Sequence, residues 1–315
     1  MRLGPMDWGL LVLLSLLWGG SFLCVGIAVQ ELPVLTIIAL RVSLAALVLW
    51  GIVLMRLNQL PRDWAVWRAF LGMGLLNNVI PFGLIVFGQQ TIGAGLAAIL
   101  NATTPLWTVL IAAVFLADER FSRQKLFGVL LGLLGGIVMV GPGAFKGLSQ
   151  SLGAQLAVLG ATLSYALANV FGRRFAAAKI SPLQTAFGQV TASSFVLVPL
   201  ALMIDTPWRF ALPSNAAILA IIGLAVLSTA FAYLLFFKIL ERAGATNVSL
   251  VTLLIPPSAI GMGMVFLQES LQSAHFIGLA LIILGLLSLQ GSLFRLSRPK
   301  QADCPAFKAS LLSST

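Results

Sequence analysis

The stretch from Ala69 to Ala117, AFLGMGLLNNVIPFGLIVFGQQTIGAGLAAILNATTPLWTVLIAAVFLA, is 49 residues long and contains no charged side chain. A helix rises about 1.5 Å per residue, so about 20 apolar residues cross the roughly 30 Å of hydrocarbon in a bilayer. The stretch is long enough for two crossings, and Gln89-Gln90-Thr91-Ile92-Gly93 predicts the turn between them. An all-α integral membrane protein is indicated.

Composition agrees with this interpretation. Of the 315 residues, 59% are hydrophobic and only 9% are charged, against about 25% charged residues in soluble domains. This balance excludes a soluble globule, and the continuous apolar runs exclude a membrane barrel of alternating strands. Two cysteines, Cys24 and Cys304, exclude a disulfide framework. Although the net charge is +10, the basic residues lie in short segments between apolar runs, so the expected partner is the bilayer and not nucleic acid.

The uncharged runs predict ten membrane-spanning helices. The first run is too long for the apolar core of a signal peptide, so we expect it to remain as an anchor. The expected helices cover residues 8–29, 33–55, 69–88, 93–116, 125–141, 152–171, 182–204, 214–237, 245–267 and 274–294.

The basic residues predict the orientation. Sixteen of the nineteen lysines and arginines lie at the N-terminus, in the segments after the even-numbered helices or in the tail. Lys146 and Arg209 lie in the other set of segments, and Arg41 lies within a helix. Because basic residues concentrate on the cytoplasmic side, both termini are expected to be cytoplasmic.

The two halves of the chain show an internal repeat. A shift of about 151 residues matches residues of the same type in order: Gly72 with Gly223, Phe82 with Tyr233, Gly93 with Gly244, Pro105 with Pro256 and Glu119 with Glu269. The predicted units are a five-helix repeat at 1–145, a second at 146–295 and a disordered cytoplasmic tail at 296–315. Five is odd, so the second repeat must enter the membrane from the opposite side. Inverted repeats are typical of secondary transporters, whose substrate cavity lies near the midplane between the repeats.

Several of these motifs also resemble a known family. They are Trp18-Gly19, Arg41, the turns Gly93-Ala94 and Gly244-Ala245, the helix ends Phe115–Arg120 and Phe266–Ser270, and the matched prolines. Together, over about residues 1–295, they resemble the drug/metabolite transporter superfamily and its EamA-type ten-helix carriers. The resemblance implies export of small metabolites, often amino acids and notably aromatic or hydrophobic ones. Without a transit or retention signal in the sequence, a bacterial inner membrane is the expected location.

Pro105 and Pro256 occupy matched positions within predicted helices. A proline inside a helix leaves the carbonyl four residues earlier without its partner and tends to kink the helix. Those carbonyls belong to Asn101 and Thr252, which are themselves repeat mates. The pair predicts a hinge or a binding site near the bilayer centre, with a packing kink as the alternative.

Arg41 is the charge that the sequence places clearly inside a span. Its cost there is about 3 to above 10 kcal/mol on an isolated helix, so it needs water, an acceptor or a partner. One interpretation is an anchor for a substrate carboxylate. The other is a structural clamp, or a side chain that extends to the outer surface.

Further polar and aromatic residues in the spans are candidates for the substrate site. Most polar side chains should face the interior, where many form only interhelical hydrogen bonds. Aromatic side chains supply an apolar, stacking wall, although many in membrane helices face lipid. The candidates are Trp18, Asn77, Asn78, Phe82, Asn101, Thr103, Tyr165, Asn169, Tyr233 and Thr252.

The glycines Gly128, Gly132 and Gly136 form a small face that permits close helix approach. Two interpretations stay open: packing between the fifth and tenth helices, or a homodimer contact.

The chemistry available in the spans limits the function. One histidine, no carboxylate within a span and no G-x-S-x-G or H-E-x-x-H motif argue against a membrane-embedded enzyme, and no metal or cofactor is expected. With Arg41 as the single buried cation, sugar phosphates fit poorly. A small neutral or zwitterionic substrate, carried by alternating access, fits best. The alternative is an exporter of cationic drugs from the same superfamily.

Overall fold

The computed structural model describes residues 4–56, 63–115, 123–140, 150–243 and 251–289. Those residues form ten successive membrane helices. In order they are α1 Pro5–Ala28, α2 Val34–Arg56, α3 Trp64–Gln89, α4 Ala94–Phe115, α5 Arg123–Val140, α6 Gln150–Ala177, α7 Pro182–Leu200 continued by Ala201–Asp205, α8 Asn215–Ile222 continued by Gly223–Phe231 and Ala232–Ala243, α9 Val251–Phe266 and α10 Ser273–Leu289. Seven helices are long and apolar enough to cross a membrane, and Val251–Phe266 and Ser273–Ser288 are shorter apolar helices. The predicted all-helical membrane fold is confirmed.

Most helix ends lie within a few residues of the expected ones, and three helices run further, among them α8, which continues to Ala243, beyond its expected end at 237. Helix α3 begins at Trp64, where the Asp63 side chain accepts the Ala65 amide at 2.8 Å, although Arg68 was expected to lie outside the span. Helix α6 continues to Ala177, beyond the expected end at 171. The cause is that a helix can extend past the hydrocarbon with charged residues in its last turns. The predicted tail at 296–315 lies outside the described residues.

Helix α4 is broken where the sequence predicted an interruption. Its first part ends at Asn101 and its second begins at Thr104, so Pro105 lies in the first turn of the second part. In that position the missing N–H of proline costs no helical hydrogen bond. The described part of α9, by contrast, runs unbroken through Pro256 and Pro257. The matched prolines therefore do not produce matched breaks within the described residues.

Helices α3 and α8 each contain a wide turn of π-helix. It covers Leu75–Val79 in α3 and Gly223–Phe231 in α8. A π-turn inserts extra residues into the helix and is frequent at functional sites. The two segments overlap under the 151-residue shift, so this irregularity is shared by the third helix of each half.

Helices α5 and α10 pack tightly against each other through glycines. A Cβ atom on Gly135 would lie 2.6 Å from the Gly278 carbonyl oxygen, and one on Gly285 would lie 2.6 Å from the Gly128 carbonyl oxygen. The start of each helix therefore meets the later part of the other, so the two run antiparallel. Since these helices are the fifth of each half, the contact has the geometry that two inverted repeats require.

Gly136, which the sequence placed on the same small face of α5, takes no part in this contact. Gly132 adjoins Gly285 and also Leu106 of α4, whereas a Cβ on Gly136 would have no neighbour within 4 Å. The predicted packing of the fifth and tenth helices is confirmed, but Gly135 replaces Gly136 in it. At 3.6 residues per turn, four residues advance the helix by about 40° more than a full turn, so two such steps carry Gly136 away from the face of Gly128 while Gly135 stays close to it. A homodimer contact stays a prediction.

Candidate functional site

Arg41 is buried between the two halves of the molecule. Its side chain is 8% exposed. The guanidinium carbon lies 3.7 Å from the centre of the Phe82 ring on α3, which is a cation–π contact. Its Nε donates a 3.1 Å hydrogen bond to Thr229 Oγ1 in the π-segment of α8. Tyr165 and Tyr233 are close enough to interact with this charge electrostatically.

A second polar contact joins the two halves, with their roles exchanged relative to the Arg41–Thr229 hydrogen bond. Asn77 Nδ2, in the π-segment of α3, donates to Gln189 Oε1 at 3.0 Å and to Tyr233 Oη at 3.3 Å. Gln189 lies on α7, the second helix of its half, as Arg41 lies on α2. In each half, therefore, the second helix bonds to the π-segment of the other half's third helix.

The charge of Arg41 has no carboxylate beside it in the part of the chain that the structure describes. Five carboxylates whose side chains the structure describes bond elsewhere: Asp7 to Arg242, Glu31 to Ser214, Asp63 to Ala65, Asp205 to Thr36 and Glu269 to Ala94. A buried guanidinium has five N–H donors, and only Nε is occupied by Thr229. The remaining fork suits the two oxygens of a carboxylate.

The break in α4 leaves two polar side-chain atoms without partners. Asn101 Oδ1 and Trp107 Nε1 are both buried, and neither has a hydrogen-bond partner in the described protein. The Asn101 carbonyl, which Pro105 leaves free, accepts a 2.7 Å bond from Thr104 Oγ1. One unsatisfied acceptor and one unsatisfied donor at a helix break are typical of a place that holds water or a solute.

The other predicted site residues are dispersed. Asn78 is fully buried in the α3–α7 interface, where it donates to Ser193 Oγ at 3.0 Å. Thr103 is buried at the α4–α6 contact and bonds Leu100 and Thr162. Asn169 is exposed and donates to Thr108.

Two more candidates complete the set. Trp18 packs on Phe236, with ring centres 5.7 Å apart, and Thr252 lies half-buried near the start of the described part of α9. The structure thus brings together Arg41, Phe82, Asn77, Tyr165 and Tyr233, and separates the rest from them.

A cavity of about 540 Å³ lies at the end of the molecule formed by the segments after α1, α3 and α9. Its lining includes Glu31, Gln89 and Glu269. The Glu269 carboxylate accepts the Ala94 and Gly95 amides at the start of α4, at 2.6 and 2.9 Å. The hydroxyl and amide of Ser214 donate to Glu31 and hold the pKa of that carboxyl below its usual range.

This geometry agrees with a comparison to known families. The EamA-like transporter family matches the chain twice, at residues 8–141 and 152–289. The chain belongs to the EamA-like transporter family. The double match divides the sequence between α5 and α6, as the predicted repeat does, and the family is one of transporters and not of enzymes.

Relatives of this EamA-like chain cover nearly its whole length. The uncharacterized transporter YoaV of Bacillus subtilis is 23% identical over 280 residues, which cover 88% of this chain and 94% of YoaV. The uncharacterized inner membrane transporter YedA of Escherichia coli is 27% identical over 279 residues, 87% of either chain. A crystal structure of a protein 21% identical superimposes with a TM-score of 0.64, over 90% of this chain and 96% of that one, and shows the same fold.

Two features of this EamA-like site were missed in the sequence. Thr229, which holds Arg41, is the residue that a 151-residue shift matches with Asn78, so the repeat itself was a signal for it. The sequence matched Glu269 with Glu119 as a repeat mate and indicated no partner for it. No pattern in the sequence indicates that the loop containing Glu269 lies over the start of α4.

Proposed function

We propose that this carrier exports small zwitterionic metabolites, above all aromatic or hydrophobic amino acids, across a bacterial inner membrane. The family supports membrane transport, and the name of YedA supports the inner membrane. In this account the two halves rock about a central cavity near the midplane, which opens alternately to either side.

The observation that carries the proposal is the buried charge of Arg41. A guanidinium that is 8% exposed, with no carboxylate beside it among the described residues, lacks a counter-ion. A substrate carboxylate supplies one and occupies the free fork of N–H groups. Because Arg41 and Thr229 belong to different halves, a ligand bound there contacts both moving parts.

The surroundings of Arg41 favour an apolar side chain on the substrate. Phe82 covers one face of the guanidinium, and Tyr165 and Tyr233 lie nearby. Aromatic rings present a flat apolar surface against which a ring or branched side chain stacks. A positive charge in the same place repels a cationic drug, which disfavours the multidrug alternative.

The proposal is tested by counterflow in proteoliposomes. Vesicles loaded with unlabelled solute are offered a panel of labelled amino acids, with and without a pH gradient. We expect saturable counterflow of aromatic and aliphatic amino acids that is indifferent to the gradient, since none of the carboxylate side chains that the structure describes lies beside Arg41. Counterflow of cationic compounds alone would contradict the proposal.

A further inference from the structure

Three carboxylates join the two halves of the molecule at one end. Glu31 of the first half accepts the amide and hydroxyl of Ser214 in the second, each at 2.6 Å. Asp205 of the second half accepts the amide and hydroxyl of Thr36 in the first, at 2.7 and 2.8 Å. Glu269 completes the set with its two bonds to the start of α4.

Each carboxylate lies at the first residues of a helix from the other half. Thr36, Ala94 and Ser214 are at the starts of α2, α4 and α8. The first N–H groups of a helix have no partner within it, and the helix dipole favours negative charge there. Each contact therefore combines charge-assisted hydrogen bonds with a favourable dipole, and each crosses between the halves.

Three glycines leave the space that the Glu269 carboxylate occupies at the start of α4. A Cβ atom on Gly93 would lie 2.7 Å from the carboxyl carbon, and one on Gly263 would lie 2.7 Å from Oε2. A Cβ on Gly95 would lie 3.3 Å from the same oxygen. Glycine at these places lets the carboxylate reach the amides of α4, and a larger residue at Gly263 would displace it.

The three contacts lie on the side that the charge distribution predicts to be extracytoplasmic, because each carboxylate is at the end of an odd-numbered helix or in the segment that follows one. We propose that Glu31, Asp205 and Glu269 form a clasp that holds this end of the carrier closed, so that opening outward requires these contacts to separate. The clasp rests on the alternating-access function proposed above. The cavity of about 540 Å³, which Glu31 and Glu269 both line, is the vestibule outside the closed end.

The three members do not contribute equally. Thr36 is 6% exposed, and both Asp205 and Glu269 are partly buried, so these two contacts are sheltered from water. Glu31 is exposed, and exposed charged contacts contribute little. Asp205 and Glu269 are therefore expected to dominate the closed state.

The test measures the distance across this end without any substrate. Spin labels at Q90C in the first half and L212C in the second, both exposed positions, are placed in a C24S/C304S background. Pulsed EPR in proteoliposomes then gives the distance distribution. D63N is the matched control, because Asp63 also caps a helix start but does so within its own half.

We expect one short distance in the parent protein and in D63N. Neutralising a sheltered carboxylate, in D205N or E269Q, should raise the ratio of a longer distance to the short one by about tenfold, since charge-assisted hydrogen bonds are lost. E31Q should change it less. G263A leaves every charge in place and should act like E269Q by displacing the carboxylate.

An unchanged distribution in E269Q, D205N and G263A, with protein that elutes as a folded species, would overturn the clasp. Counterflow in the same vesicles separates this result from failure of the proposed function. A longer distance without amino-acid counterflow would refute the substrate assignment and leave the clasp standing. Unchanged distances with intact counterflow would refute the clasp alone.

Discussion

The antiparallel contact of α5 and α10 predicts that alanine substitutions at two adjacent glycines differ in their effect on stability. Gly135 and Gly136 are adjacent in α5, and the same change to alanine is made at each. At Gly135 the new Cβ would lie 2.6 Å from the Gly278 carbonyl oxygen and 3.0 Å from the Ile282 and Leu281 side chains. At Gly136 it would meet nothing within 4 Å.

These distances decide whether each alanine substitution raises or lowers the stability of the protein. Glycine to alanine in a helix gains about 1 kcal/mol of helix propensity, and both variants share that gain. Overpacking against a backbone that cannot give way costs about 1–3 kcal/mol, and only G135A has that cost. G136A should be neutral or more stable than the parent, and G135A less stable than G136A by about 1–3 kcal/mol.

The assay is the thermal stability of detergent-solubilised protein, followed by the loss of the monodisperse peak on size-exclusion chromatography. One kcal/mol corresponds to about 2–4 °C in Tm for a domain of about 150–250 residues, so several degrees should separate the variants. G285A, whose Cβ would meet the Gly128 carbonyl, is a second variant for the same contact. Equal Tm values for G135A and G136A would refute the antiparallel packing.

Three further predictions follow from the described contacts. R41M should keep or raise Tm while it abolishes transport, because a buried charge that has no carboxylate partner among the described residues does little for stability; a large fall in Tm would make the residue structural. The double variant P105A/P256A should slow counterflow at normal protein yield, and full activity would remove the hinge. Because Ser214 lowers the pKa of Glu31, a small stability difference between the parent and E31Q should be present at neutral pH; in thermal melts from pH 7 downward it should begin to shrink near the ordinary pKa of glutamate, where the unfolded chain takes up a proton, and vanish once the pH has fallen through the lowered pKa.

The sequence was a good guide to the number and type of helices, since hydrophobic length is a direct consequence of bilayer thickness. The sequence was a poorer guide to features that depend on tertiary contacts. Gly136 was favoured over Gly135 because spacing defines a helix face only approximately. The break at Asn101 was expected, but the unbroken course of α9 through Pro256 was not.

The candidate site was also predicted only in part from the sequence. Arg41 stood out because a charge in a membrane helix is expensive wherever it lies. Its partners Phe82 and Thr229 lie on two other helices, and only packing brings them together. The role of Glu269 depends on which loop covers which helix start, which no local pattern encodes.

In the proposed function, Arg41 recognises the carboxylate of a carried amino acid. The most direct measurement is inhibition of counterflow by an aromatic amino acid and by the amine that remains when its carboxyl group is removed, in the parent protein and in R41Q. We expect the amino acid to inhibit the parent at least about tenfold better than the amine, as the loss of a charge-assisted hydrogen bond implies, and R41Q no longer to distinguish them. Equal inhibition of the parent by both compounds, or full discrimination in R41Q, would contradict this expectation.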